Sequence, residues 1–267
     1  MYSLQNSVAL VTGGAQGIGR EIVLTLARRG AEVLAADVDL SGLEKVIVNG
    51  ENEGMKIKAV KLDVTTQSDW DSVLERVGAE YKKLDILVNN AGIMESRPFF
   101  ETSLEDFRKT MRVNLEGMFI GIKAAYPLLL EGAKSRQTGA SVINISSTLG
   151  KVAGPRNTAY CTSKAAVIML TKAIAVELGL AGSNIRVNSV LPGGVETGMI
   201  RRAMQSLIDI GALADMDAGD QMVCARAPLG RMGRVDDIAE VVAFLASDAS
   251  KFMTGSEVTV DGGYTVI

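Results

Sequence analysis

"VALVTGGAQGIGREIVLTLARRG" (residues 8–30) joins two kinds of apolar pattern through one glycine-rich turn. "VALVTG" (8–13) is a short run of the kind that forms a fully buried strand. "GREIVLTLARRG" (19–30) carries apolar residues at helical spacing and stops at Gly30, a residue suited to ending a helix. A strand that turns directly into a helix is the opening half of a β-α-β unit, so the rest of the chain should repeat the alternation.

It does. "AEVLAADV" predicts a second strand, and a helix follows from about Ser41; "KIKAVKLDV" predicts a third strand. The helix starting near Ser68 places Trp70, Val73, Leu74 and Val77 on one face. "LDILVNNAG" (84–92) is a fourth strand, followed by a long helix from about Ser103 to Gly132. "ASVINISS" (140–147), a helix over Ala159 to Leu180, and "IRVNSVLPG" (185–193) continue the series; "VDDIAEVVAFLAS" and "EVTVDGG" supply a last helix and strand. The expectation is an α/β fold of Rossmann type: a doubly wound, parallel, seven-stranded sheet with helices on both faces. No linker, repeat or low-complexity segment interrupts it, so residues 1–267 are expected to form one domain.

Composition removes several classes of function. The 267 residues include 28 basic and 31 acidic side chains, and a net charge of −3 argues against a general nucleic-acid binder. Lys123 and Lys172 interrupt the best candidates for a membrane span, and the N-terminus lacks a basic leader and a long apolar region. Cys161 and Cys224 fit no disulfide or metal pattern. There is no histidine, so neither a Ser-His-Asp triad nor a His-ligated zinc site can be built. A cytoplasmic protein without a metal is expected.

Glycines at the first strand–helix turn let the backbone approach a pyrophosphate, which the helix N-terminus attracts. Asp37 ends the second strand, eighteen residues beyond Gly19. A carboxylate there can bind both ribose hydroxyls of NAD and would repel the 2′-phosphate of NADP.

The spacing Gly13, Gly17, Gly19 in "TGGAQGIG" (12–19) resembles the T-G-x-x-x-G-x-G motif of the short-chain dehydrogenase/reductase family. Further residues carry the resemblance along nearly the whole chain. They are "NNAG" (89–92), Asn114 in the long helix, "ISS" (145–147), Tyr160 and Lys164 in Y-x-x-x-K, and "PGGVET" (192–197). The resemblance implies a catalytic set of Asn114, Ser147, Tyr160 and Lys164. In that set Tyr160 donates a proton during carbonyl reduction and accepts one during alcohol oxidation. Lys164 also binds the nicotinamide ribose, Ser147 holds the substrate oxygen, and Asn114 holds a water linking Lys164 to solvent. Ser147 is preferred to Ser146 because it lies thirteen residues before Tyr160, and neighbouring strand residues face opposite ways. The implied cofactor contacts are Gly13, Gln16, Gly17, Ile18 and Gly19 at the phosphates and Asp37 at the ribose. Asp63 and Val64 would bracket the adenine, and Asn90 and Gly92 would line the cofactor. Pro192, Gly193, Val195 and Thr197 would hold the carboxamide end. Gln16 and Val38 stand where NADPH-dependent members place basic residues.

Spacing gives the pair a physical basis. Residues four apart share a helix face, and a positive charge about 4 Å from a phenol, at an effective dielectric near 20, favours the phenolate by up to roughly 4 kcal/mol. That is about 3 pKa units, enough to bring a tyrosine toward neutrality and let it replace the missing histidine.

The segment 198–230 falls where the family places its substrate cover, although its methionines and leucines at helical spacing equally fit a helix packed on the core. On the family placement, Met94, Leu149, Val152, Met199, Ile200, Met204, Leu207 and Ile208 are expected to form an apolar pocket. No cluster of basic residues is evident there; Arg97, Arg201 and Arg202 are the nearest candidates. The expected activity is hydride transfer between NAD and an apolar, cyclic or steroid-like secondary alcohol. A 3-oxoacyl-carrier-protein reductase and a non-catalytic NAD-binding regulator are the alternatives. The family also implies a homotetramer, joined through the two long helices and the C-terminal segment.

Overall fold

The computed structural model describes residues 3–266. Seven strands form one parallel sheet: β1 (Val8–Thr12), β2 (Glu32–Asp37), β3 (Ile57–Lys61), β4 (Ile86–Asn89), β5 (Ala140–Ile145), β6 (Ile185–Pro192) and β7 (Glu257–Val260). Their order is β3-β2-β1-β4-β5-β6-β7. The order reverses at β1, so the crevice beyond the carboxyl ends of β1 and β4 is where an open α/β sheet takes its ligand.

The strands are buried on both faces because alternate residues serve different cores. Ala9 and Val11 of β1 join the cluster built with Ile22, Val23 and Leu26 of α1 (Gly17–Arg28), Leu43 and Val46 of α2 (Leu40–Asn52), and Ile238 and Val242 of α9 (Val235–Ala246). Val8 and Leu10 face the opposite cluster, which contains Trp70, Val73, Leu74 and Val77 of α3 (Gln67–Tyr81). Ile122 and Leu129 of α5 (Gly117–Ser135) and Ala175 of α6 (Thr158–Leu180) complete that side. Trp70 is fully buried, and its indole nitrogen donates to the Val64 carbonyl at 3.0 Å. Gly121 makes room for the ring: a Cβ there would lie 2.4 Å from it.

The expected single helix from Ser103 to Gly132 is divided. The helix α4 (Leu104–Met111) begins with a reciprocal cap between Ser103 and Asp106, and a π-turn at Arg112–Glu116 leads into α5. Such a turn inserts one residue into the helical repeat and re-aims the side chains beside it. Here it holds Asn114, completely buried. The continuous helical stretch 104–135 is long and apolar enough to cross a membrane by composition. In this fold its Met118, Ile122, Ala125, Leu129 and Ala133 are buried instead. The 198–230 segment forms α7 (Gly198–Asp209) and α8 (Met216–Ala225), which pack against each other over the carboxyl end of the sheet.

Candidate active site

The switch point is built from the glycine turn and the end of β4. Gly13 and Gly17 have φ of +65° and +57°, in the left-handed region that glycine adopts without strain. A Cβ on Gly19 would sit 2.0 Å from the Gly13 carbonyl oxygen, so the turn closes only with glycine there. The side chain of Gln16 does not cap α1, which leaves the first backbone N–H groups of that helix for an anion. Asp37 stands at the rim: its carboxylate accepts from the Ala15 amide at 3.1 Å and the Asp39 amide at 3.0 Å. This cradle fits a dinucleotide.

Thr12 and Asn90 tie the turn to the neighbouring strand. The Asn90 amide donates to the carbonyls of Thr12 and Gly13 at 3.0 and 3.1 Å, while the Thr12 hydroxyl accepts from the backbone of Asn90 and Ala91. Sequence reasoning overlooked Thr12 as a site residue, although it is the first residue of the glycine motif. At Asp63 the carboxylate accepts from the Thr65 amide and hydroxyl, and Val64 is buried against α5.

One cavity of about 480 Å³ gathers the chemistry. Ser147, Tyr160 and Lys164 line it together with Ile18, Asn90, Gly92, Pro192, Gly193, Val195 and Thr197. Gln16, Asp37, Asp63 and Val64 lie outside it, toward the adenine end of the cradle. Asn114 does not line it either. Its side chain accepts from the Ile93 amide at 2.8 Å and donates to the Ile93 carbonyl and the Ser163 hydroxyl. It therefore holds the backbone after β4. A Cβ on Gly92 would approach both its oxygen, at 3.3 Å, and the Lys164 ammonium, at 3.5 Å.

Ser147 and Tyr160 line the cavity together, and the Ser147 side chain favours the phenolate form of Tyr160. The Lys164 ammonium lies 5.6 Å from the centre of the Tyr160 ring and donates to the Ile145 carbonyl at 2.8 Å. This corrects the expectation of a phenol drawn toward neutrality. Burial dominates: it pushes Tyr160 up to about 12, against the opposing effect of Ser147, and pushes Lys164 down to about 8. The ammonium is too far away, and too occupied with a carbonyl, to offset desolvation of the phenolate.

Burying that charge weakens the fold. Lys164 binds its proton less readily in the folded chain, so the unfolded chain holds more protons between about pH 8 and 10.5. Stability should rise with pH across that window. Below it the buried charge costs roughly 3 kcal/mol. Lys164→Met should recover roughly 2 kcal/mol at pH 7, after about 1 kcal/mol is lost with the Ile145 hydrogen bond. Urea unfolding at pH 7 and pH 10 checks this: the gain should shrink at the higher pH.

Of the expected pocket residues, Met94, Leu149, Met199, Ile200, Met204 and Leu207 line the cavity; Val152 and Ile208 do not. Met222, Val223, Ala227 and Leu229 add to the apolar wall. The basic residues differ from those expected. Arg201 is bonded to Glu196 and Asp220, Arg97 lies 3.8 Å from Asp106, and neither they nor Arg202 reach the wall. Arg156 and Arg226 do.

Residues 13–265 match the family model described as enoyl-(acyl carrier protein) reductase. The chain is 35% identical to a 3-oxoacyl-(acyl-carrier-protein) reductase of Thermotoga maritima, over 98% of this chain and 99% of the relative. It is 37% identical to a cyclopentanol dehydrogenase of a Comamonas species, covering 99% of each. An NADP-dependent (R)-specific alcohol dehydrogenase of Lentilactobacillus kefiri is 35% identical over 98% of each chain. The crystal structure of levodione reductase superposes with a TM-score of 0.89 at 28% identity, covering 98% of both chains. The chain thus belongs to the short-chain dehydrogenase/reductase family, oxidoreductases that bind a nicotinamide cofactor, and its activity is on alcohols.

Proposed function

We propose that the protein is an NAD-dependent dehydrogenase of apolar, cyclic secondary alcohols, working reversibly on the corresponding ketones. The observation that carries this reading is the convergence of Ser147, Tyr160 and Lys164 on a cavity whose wall includes Met94, Leu149, Met199, Ile200, Met204 and Leu207. The glycine turn and Asp37 would hold a nicotinamide cofactor, which would supply or take up the hydride. Ser147 orients the substrate oxygen, Tyr160 exchanges the proton with it, and Lys164 holds the ribose beside them. Asn114 acts as a positioning residue through Ile93 and Ser163. Asp37 selects NAD, and Val195 with Thr197 receives the carboxamide. The cyclopentanol dehydrogenase relative supports a cyclic substrate.

A panel of alcohols with NAD, followed by NADH formation, tests the reading. Each added methylene should favour the larger substrate by about 0.8 kcal/mol, near fourfold in kcat/KM, until the cavity is full. Specificity that stays flat or falls with size, or better activity on a polyol or a 3-oxoacyl thioester, defeats it.

The same reading includes a cytoplasmic homotetramer. Cys161 and Cys224 are unpaired, as in a reducing compartment. Phe119 on α5 and Met169, Val176 and Leu180 on α6 are exposed, as is Val266 near the C-terminus; Ile267 of the expected apolar tail lies outside the described residues. Exposed apolar side chains of this number suit burial between copies. Light scattering should give four times the chain mass, and a monomer mass independent of concentration would exclude the assembly.

A further inference from the structure

The charged groups on the cavity wall do not balance. Of its two acidic side chains, Asp237 accepts two hydrogen bonds from Arg231, at 2.7 and 2.9 Å, and one from the Arg234 amide. Asp261 is turned onto the C-terminal backbone, accepting from the amides of Gly263 and Thr265 and from the Thr265 hydroxyl. Lys164 is held by the Ile145 carbonyl. That leaves Arg156 and Arg226. Among the described residues neither has an ion pair with a carboxylate, and both reach the wall of the cavity beside Met94, Leu149, Met199 and Ile200.

Arg156 is unusual in its backbone as well. Its φ is +65°, in the left-handed region that side-chain-bearing residues seldom occupy, and its carbonyl is fastened to the Arg97 amide at 2.8 Å. Such a conformation persists only where its surroundings enforce it, and it is common beside ligands. The residue lies just before the start of α6, four positions ahead of Tyr160. Its Nε is buried without a hydrogen-bond partner, and so is Oδ1 of the adjacent Asn157. Buried polar groups are seldom left so, and two in succession on a cavity wall mark a stretch completed by something else. Arg226 adds a second guanidinium from the C-terminal end of α8.

We propose that Arg156 and Arg226 receive a carboxylate on the substrate, so that the preferred alcohol is an apolar ring carrying an acid group. This rests on the reading of the site as one for cyclic alcohols and narrows it. A planar guanidinium matches a carboxylate with two parallel hydrogen bonds, a geometry that half-buried Arg156 and exposed Arg226 can both offer. Met94, Leu149, Met199 and Ile200 contact the ring, while the two arginines fix the end away from the reacting carbon.

The test compares hydroxycyclohexanecarboxylates, with the hydroxyl at C3 or C4, against their methyl esters. The acid should exceed the ester in kcat/KM by at least about 10-fold, chiefly through KM, as expected for a charge-assisted hydrogen bond. In Arg156→Gln and in Arg226→Gln that ratio should collapse toward one, with Arg156→Lys restoring part of it. Calorimetry with cyclohexanecarboxylate, which cannot be oxidised at a hydroxyl, gives a readout independent of turnover. Binding to the wild-type protein, weakened about 10-fold in Arg226→Gln and by added salt, supports the proposal even if Arg156→Gln fails to fold. Equal kcat/KM for acid and ester, or no binding of cyclohexanecarboxylate to the wild type, overturns it. In the first case the neutral alcohols still turn over, so the broader reading survives; failure of every cyclic alcohol with NAD would remove the broader reading itself.

Discussion

Tyr160→Phe should lower turnover by at least about 100-fold in both directions, the usual scale for loss of a general acid/base, while cofactor binding persists. The ring stays near Lys164, 5.6 Å from its ammonium, so the substitution removes one hydroxyl and little else. What departs is the proton and the side-chain interaction with Ser147. The direction of each pH profile follows from burial. With its phenol pushed up to about 12, Tyr160 is protonated throughout the accessible range and ready to donate, so ketone reduction should be nearly flat with pH. Alcohol oxidation needs the deprotonated form, whose fraction rises tenfold for each pH unit below that value. Oxidation should therefore climb with pH across the range. Rates in both directions from pH 6 to 10 check the profile. Near-normal turnover in purified Tyr160→Phe would remove tyrosine from the mechanism.

The sheet and its order of elements were legible because the central strands are short buried runs and helices such as α1 and α3 carry one apolar face. Val8 and Leu10 face one core and Ala9 and Val11 the other, an alternation that makes the whole strand apolar. The π-turn at Asn114 was not legible, since nothing in "RVNLE" separates it from ordinary helix; it coincides with hydrogen bonds from the Asn114 side chain to Ile93, twenty-one residues earlier. The site residues were found as a pattern, but their electrostatics were not. A four-residue spacing sets a shared helix face, whereas the balance between desolvation and an ammonium depends on a carbonyl of β5 that spacing does not reveal. Arg156 escaped for a similar reason. Its approach to the cavity depends on a left-handed backbone that "PRN" does not announce.

Asp37→Ala should abolish the preference for NAD proposed above. In the wild type the carboxylate sits at the carboxyl end of β2, fixed by the Ala15 and Asp39 amides, so it cannot swing aside when a phosphate approaches. Hydrogen bonds from ribose hydroxyls to a charged acceptor contribute about 1.5–3 kcal/mol each. Loss of both should lower kcat/KM with NAD by at least about 100-fold. The same change removes the repulsion that excludes a 2′-phosphate, so activity with NADP should rise. It should not reach the wild-type rate with NAD, because Gln16 and Val38 offer that phosphate no positive charge. The substitution carries a structural cost too. With the carboxylate gone, the Ala15 amide loses its partner in the glycine turn, so part of the loss with NAD reflects a looser cradle. Asp37→Asn separates the two effects: it keeps an acceptor for Ala15 while removing the charge, and should relax cofactor preference with less harm to overall rate. The family includes an NADP-dependent alcohol dehydrogenase 35% identical to this chain, so the fold itself imposes neither cofactor. Initial rates with both cofactors for the three proteins decide the matter, and a wild-type preference for NADP would defeat the role given to Asp37.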